Sequence, residues 1–208
     1  MVEATPESIS PVVTMLSPTS VLHQVRAATA VQHRTLEARL PLTSPDLDQC
    51  TYARIIEAYY GFHAPLHDQI AKFSGASADP ERHKIPALIK DLYALGLNGE
   101  QINALPLCTR LPAIDSDAQL LGVMYVMEGA TLGGQVLRRL IAARLGIDAD
   151  SGGEFLDVYG RDTGRLWKAF LKQLAAFDHP AYNSDVVDAA CETFACFEHW
   201  LDRAGVLL

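Results

Sequence analysis

The sequence is short of positive charge. Seventeen Lys and Arg stand against 25 Asp and Glu in 208 residues, a formal net charge of −8. A general nucleic-acid binder needs clustered cations to neutralise phosphates, so this balance argues against one. No apolar run approaches the ~20 residues of a membrane span. The opening Met1-Val-Glu-Ala-Thr-Pro-Glu7 lacks the basic start of a signal peptide. Cys50, Cys108, Cys191 and Cys196 form no CxxC pair. Reduced thiols in a cytoplasmic protein, mostly packing residues, are therefore expected. Nothing alternates convincingly at period two, so no sheet is expected. No Walker or Rossmann glycine pattern follows a strand, and no Glu-x-x-His pair supports a ferritin-like di-iron site. Flavin and iron–sulfur motifs are missing as well.

What is present is helical periodicity. Hydrophobic residues make up 49% and charged residues 20%, ordinary for a globular chain. Residues 1–18, with Pro6, Pro11 and Pro18, read as a flexible leader. Thr19 or Ser20 caps a first helix whose stripe is Leu22, Val25, Thr29, His33, Leu36 and Leu40, closed by Pro41. Ser44-Pro45-Asp46 predicts the start of a second, with Tyr52, Ile55, Ile56 and Tyr59 inward. Pro65 is expected to kink or divide it before Gly75. Asp79-Pro80 opens a segment ending at Gly96, and 96–114 reads as loop with one short turn. Asp115-Ser116-Asp117 caps a long helix to Leu145, and Gly146 stops it. Asp162-Thr163 and Asn183-Ser184-Asp185 cap the last two helices. The expected architecture is one all-α domain, residues 19–208, of six to eight helices, without internal repeat.

Two patterns resist a purely structural account. The long helix holds Gly129, Gly133 and Gly134, and each glycine inside a helix costs about 1 kcal/mol relative to Ala. Gly129 and Gly133 share a face, which lets another helix or a flat ligand approach the backbone. The first helix carries Thr29-x3-His33-x3-Glu37. A His on an inward stripe can be an axial metal ligand, with a carboxylate one turn on fixing its tautomer. Taken singly, HxxxE also fits a half-exposed His beside a solvated Glu, and GxxxGG fits close helix packing. His63-Ala-Pro-Leu-His67 has helical metal spacing but no third ligand, and Pro65 disturbs it. His23 is an alternative ligand without the Thr and Glu frame. His83, His179 and His199 read as surface or loop residues.

In this order the two patterns resemble the haem oxygenase family. Arg26-Ala-Ala-Thr29-Ala-Val-Gln-His33-Arg-Thr-Leu-Glu37 is similar to its proximal helix. Tyr125-Val-Met-Glu-Gly129-Ala-Thr-Leu-Gly133-Gly134-Gln135 is similar to its distal helix, with a bacterial, phytochrome-associated flavour, and Glu192–Leu201 resembles its C-terminal helix. The resemblance implies a multi-helical fold with haem between a proximal and a kinked distal helix. It implies His33 as iron ligand, Glu37 behind it, and Gly129 and Gly133 as the catalytic distal glycines. Arg26, Thr29, Tyr125 and Gly134 are further haem-contacting positions. Lys168 and Lys172 match propionate-binding positions, and Arg165 is a further candidate.

The implied reaction is O2- and electron-dependent cleavage of haem to biliverdin, CO and ferrous iron. The electrons come from an external ferredoxin, flavodoxin or reductase, and a bilin-using phytochrome is a candidate recipient. Many family members carry Asp directly after the first distal glycine, where this sequence has Ala130. That departure leaves open a non-catalytic haem carrier or sensor. A helical interaction protein, in which the glycines only pack helices, is the third reading.

Overall fold

A computed structural model describes residues 19–75 and 79–208; the leader reading for 1–18 lies outside them. The described residues form seven α-helices and no strand. They are α1 (Val21–Arg39), α2 (Gln49–Ser74), α3 (Ile85–Ala94), α4 (Gly99–Asn103), α5 (Asp117–Leu145), α6 (Thr163–Phe177) and α7 (Asn183–Arg203). Short 3-10 turns at Pro41–Thr43, Pro80–Arg82, Phe155–Asp157 and Gly160–Asp162 link them.

Most helix ends follow local chemistry. Ser20 caps α1 by accepting from the His23 amide, and Ser116 caps α5 by accepting from the Gln119 amide. Gly146, at φ 69°, supplies the left-handed residue that stops α5. Three starts differ from expectation. Ser44 and Pro45 do not begin α2. Ser44 Oγ accepts from the Asp46 amide, the chain then turns to bury Leu47, and Asp48 caps α2 through the Thr51 amide. Asp162 makes no capping bond at α6 and pairs instead with Arg165. Asn183 lies within α7. Its side chain accepts from the His179 amide and donates to Asp178, stapling the preceding loop.

Pro65 neither divides nor ends α2, which runs unbroken from Gln49 to Ser74. Helix α4, expected only as a turn, is held by a capping box between Asn98 and Gln101. By length and composition α5 is apolar enough to cross a bilayer, with a window of mean hydropathy 1.3. That corrects the expectation of no such stretch. Here its apolar surface packs against α6, α7 and the Phe155–Asp157 turn. The core joins Val25 and Leu36 of α1, Tyr52, Ile55 and Ile56 of α2, Val126 and Ile141 of α5, Phe170 and Leu174 of α6, and Val186 and Leu201 of α7. Cys108 and Cys196 are buried in a satellite cluster, Cys50 is exposed, and all four thiols are free.

Candidate functional site

Between α1 and α5 lies a cavity of about 600 Å³, within the range of small-molecule sites. One wall is α1, which contributes Arg26, Thr29, His33 and Glu37. The facing wall is α5, from Tyr125 to Leu137, including Gly129, Ala130, Gly133 and Gly134. The two sequence patterns therefore face each other across one slot.

His33 keeps 53% of its side chain accessible, and its Nδ1 lies 3.2 Å from Glu37 Oε2. The edge of Phe194 from α7 meets the imidazole at a centroid distance of 5.8 Å and 80°. One ring nitrogen is thus directed at a carboxylate, and the ring is braced from the side. Thr29 is buried and donates to the Val25 carbonyl at 2.7 Å. Tyr125 reaches across from α5 toward Arg26 and Thr29. Burial raises its pKa, against the opposing pull of Arg26 and of hydrogen bonds from both residues.

The glycines divide by what surrounds them. An added Cβ at Gly133 would meet nothing within 4 Å, and at Gly129 only the Trp167 ring at 3.7 Å. Neither position is required by helix packing. The glycine that serves packing is Gly122, where a Cβ would strike Val186 and Ala189 of α7. Gly134 differs again, since its Cβ would collide with the Leu156 carbonyl oxygen. It lets the Phe155–Asp157 turn lie on α5. The helix passes through all three without a break.

Several positions are not brought to the slot. Lys168 and Lys172 lie on the exposed face of α6, outside the cavity lining, although Trp167 beside them lines it. Arg165 is engaged by Asp162 at 2.8 Å and Glu81 at 3.2 Å. His23 is exposed and does not line the cavity. His63 and His67 do not converge on a metal. His63 is enclosed by aromatic rings, whereas His67 stacks on His83 at 4.2 Å.

Other lining residues gave little signal. Arg34, Tyr59, His63, Lys84, Trp167 and Phe197 all reach the cavity. Tyr59 sat on the expected inward stripe of α2. Lys84, far upstream of α5, arrives only through the fold. It is buried, and its Nζ lies 2.9 Å from Glu128 Oε1. Glu128 also pairs with Arg82 and accepts from the Tyr159 hydroxyl at 3.0 Å. This buried network sits directly behind Gly129.

A match to the Heme oxygenase family covers residues 19–203. The chain belongs to the heme oxygenase family. A heme oxygenase of Xanthomonas campestris pv. campestris (strain 8004) is 33% identical over 102 residues, 47% of this chain. The match spans 57% of that relative's length, a little over half. Solved structures share the fold. The NO- and CO-bound heme oxygenase from Neisseria meningitidis has a TM-score of 0.71 at 20% identity, over 89% of this chain and 92% of that one. The Leptospira interrogans enzyme gives 0.70 at 18% identity, over 88% and 99%. Cyanobacterial heme oxygenase-1 from Synechocystis, in complex with heme, gives 0.71 at 16% identity, over 88% and 91%.

The residues of this heme oxygenase fold fit a haem. Among the described residues no group of three or more His, Cys, Asp or Glu is placed to hold a bare metal ion. A porphyrin supplies four of its iron's ligands, so one imidazole suffices. The open space at Gly133 gives a flat ring access to the α5 backbone.

Proposed function

We propose that this chain is a haem oxygenase, cleaving haem to biliverdin, CO and ferrous iron in the slot between α1 and α5. The observation that carries the reading is His33 on one wall opposite the open face of Gly133 on the other. Bound haem is substrate and cofactor together, supplying the iron at which O2 is activated against the ring itself.

The protein's part is orientation. His33 would hold the iron through Nε2, because Glu37 takes Nδ1. A hydrogen bond there fixes the tautomer and raises the basicity of the ligand. The Phe194 edge limits ring rotation. Gly129 and Gly133, with no side chain in between, would let a flat ring approach the α5 backbone. Arg26 and Tyr125 meet in the lining of the slot, where Arg26 provides a cation for a propionate. Lys168 and Lys172, one turn apart on the exposed face of α6, are the other candidate propionate partners. Cytoplasmic electrons arrive from a ferredoxin, flavodoxin or reductase, and a bilin-using phytochrome is a fitting recipient of the product.

One observation favours a second reading. From Gly129 to Gly134 the α5 wall bears no carboxylate, and Ala130 stands after the first glycine, as in a carrier or sensor that holds haem without consuming it. A single experiment separates the two. One equivalent of hemin is added, the Soret band recorded, then reductant supplied in air with catalase present. Decay of a sharpened Soret band with growth of biliverdin absorbance is expected, and a band that persists would decide for the carrier. His33→Ala is expected to abolish both the sharpened band and turnover. Unchanged spectra in that variant would sink the assignment of the ligand.

A further inference from the structure

The two glycines that face the slot are not equivalent. A Cβ built on Gly133 would enter open space, whereas one on Gly129 would touch the tip of Trp167, with Cη2 at 3.7 Å and Cζ3 at 3.8 Å. The indole therefore covers Gly129 at van der Waals distance, and open room along α5 begins beyond it. Trp167 is the one residue of α6 in the lining.

The indole is fixed in place. It stacks on Phe170 at a centroid distance of 5.6 Å and 28°, and Tyr125 tilts against it at 6.0 Å and 50°. Phe170 is only 1% exposed, and a close-packed neighbour of that kind does not yield. The backbone around the indole is pinned as well. Arg82 donates to the Leu166 carbonyl at 3.2 Å. Gln135 of α5 donates to the Gly160 carbonyl, just before α6, at 2.9 Å and to Thr163 Oγ1 at 3.3 Å. A side chain locked by its packing and by such supports makes a rigid wall.

A rigid wall matters to a ring that is held at its centre. One axial imidazole leaves a porphyrin free to turn in its own plane, and each quarter turn presents a different meso carbon to the same part of α5. Ionic tethers on the propionates oppose the turn. Of the cations considered for them, Lys168, Lys172 and Arg165 lie outside the lining and Arg26 lies within it. Arg26 is exposed, and exposed ion pairs hold weakly. Shape has to supply the remainder. The methyl, vinyl and propionate groups on the rim of a haem differ in size, so an indole standing at the rim makes the rotations unequal.

We propose that Trp167 is a specificity-determining residue. Its indole is the stop against which the rim of the bound ring rests, and it selects one in-plane rotation and hence one biliverdin isomer. The selection comes from a third helix, not from the two that face each other across the slot. The inference rests on the haem reading above and deepens it.

The test reads the rotation itself. The full-length protein, Trp167→Phe and Trp167→Ala are loaded with hemin and cyanide in the ferric state, and the shifted haem methyl resonances are recorded by proton NMR at equilibrium. The parent is expected to show one dominant rotation. In Trp167→Ala the ratio of that rotation to the others is expected to fall about tenfold, the worth of one aromatic contact. Trp167→Phe, whose ring is shorter, is expected to lose about threefold. Biliverdin isomers released on turnover and separated by chromatography are expected to spread in the same order. A parental ratio in Trp167→Ala, or a parent without a dominant rotation, overturns the proposal and leaves the haem reading intact. A parent protein that does not bind hemin overturns both. Should Trp167→Ala fail to fold, Trp167→Phe decides, and a parental ratio there overturns the proposal.

Discussion

Single residues on the α5 wall carry opposite consequences although they are identical in type. At Gly133 a methyl group enters open cavity, so Gly133→Ala gains helix propensity without a clash. The ligand-free protein is expected to be more stable by about 0.5–1 kcal/mol in urea denaturation, while hemin binding or turnover falls. At Gly134 the same methyl meets the Leu156 carbonyl. Gly134→Ala is expected to destabilise the ligand-free protein by about 1–3 kcal/mol, the usual range for overpacking against a part that cannot yield. Two stabilities moving the same way would refute the division of these glycines into ligand-facing and packing positions. GxxxGG in the sequence was equally consistent with both roles. The decisive fact, what stands opposite each Cα, belongs to residues remote in the chain.

At the scale of elements, the device is the segment from Asp79 to Lys84. Arg82 pairs with Asp79 and with Glu128 of α5, and it donates to the Leu166 carbonyl of α6 at 3.2 Å. Lys84 meets Glu128 from the other side. Two helices that wall the slot are thereby held at a common distance, immediately before Gly129. Glu128, Arg82 and Lys84 expose only 2%, 13% and 7% of their side chains. Removing the anion leaves Lys84 buried without a counter-ion and Arg82 with Asp79 alone. Glu128→Ala is accordingly expected to cost about 3–5 kcal/mol. Arg82→Met, which leaves Glu128 its Lys84 and Tyr159 partners, is expected to cost less by thermal melting. A larger loss in Arg82→Met would show that its contact with α6, and not the charge balance, is what holds the helices together.

For the whole molecule, two buried groups set opposing pH dependences. Asp91 accepts the Glu154 and Phe155 amides at 2.8 Å each, fixing the turn that forms one side of the slot. Burial outweighs those bonds and raises its pKa from 3.8 to about 6. Between about pH 4 and 6 the folded protein keeps a proton on Asp91 that the unfolded chain has lost, so this group lowers stability as pH rises. His63, depressed from 6.5 to about 3, does the reverse. The unfolded chain holds its proton in the same window, so stability rises with pH. The two contributions offset each other. Relative to the parent, His63→Leu is expected to lose about 2–3 kcal/mol between pH 4 and 6, and Asp91→Asn to gain a similar amount. Guanidinium denaturation of the ligand-free proteins at pH 4, 5 and 6 reads both slopes. Parallel curves for all three would remove either group from the pH response.

Local signals are short-range, and they sufficed for the helices. Ser20, Ser116 and Gly146 mark ends because a cap acts within one turn. The inward stripe Tyr52, Ile55, Ile56 and Tyr59 is buried as its spacing requires. The same reach explains the misses. Ser44-Pro45 looks like a helix start until Leu47 must be buried, and Pro65 looks like a break until the packing of α2 outweighs one lost hydrogen bond. The proximal and distal patterns were each legible as local anomalies, a framed histidine and a costly run of glycines. That they face each other across one slot was decided by the packing of α1 and α5 around α6 and α7. The buried cations Arg82 and Lys84 behind Gly129, and the enclosed His63 beside them, come from positions 33 to 54 residues upstream of the start of α5. No period or spacing encodes such a meeting. It exists only because burying the apolar faces of seven helices leaves those side chains no other place to go.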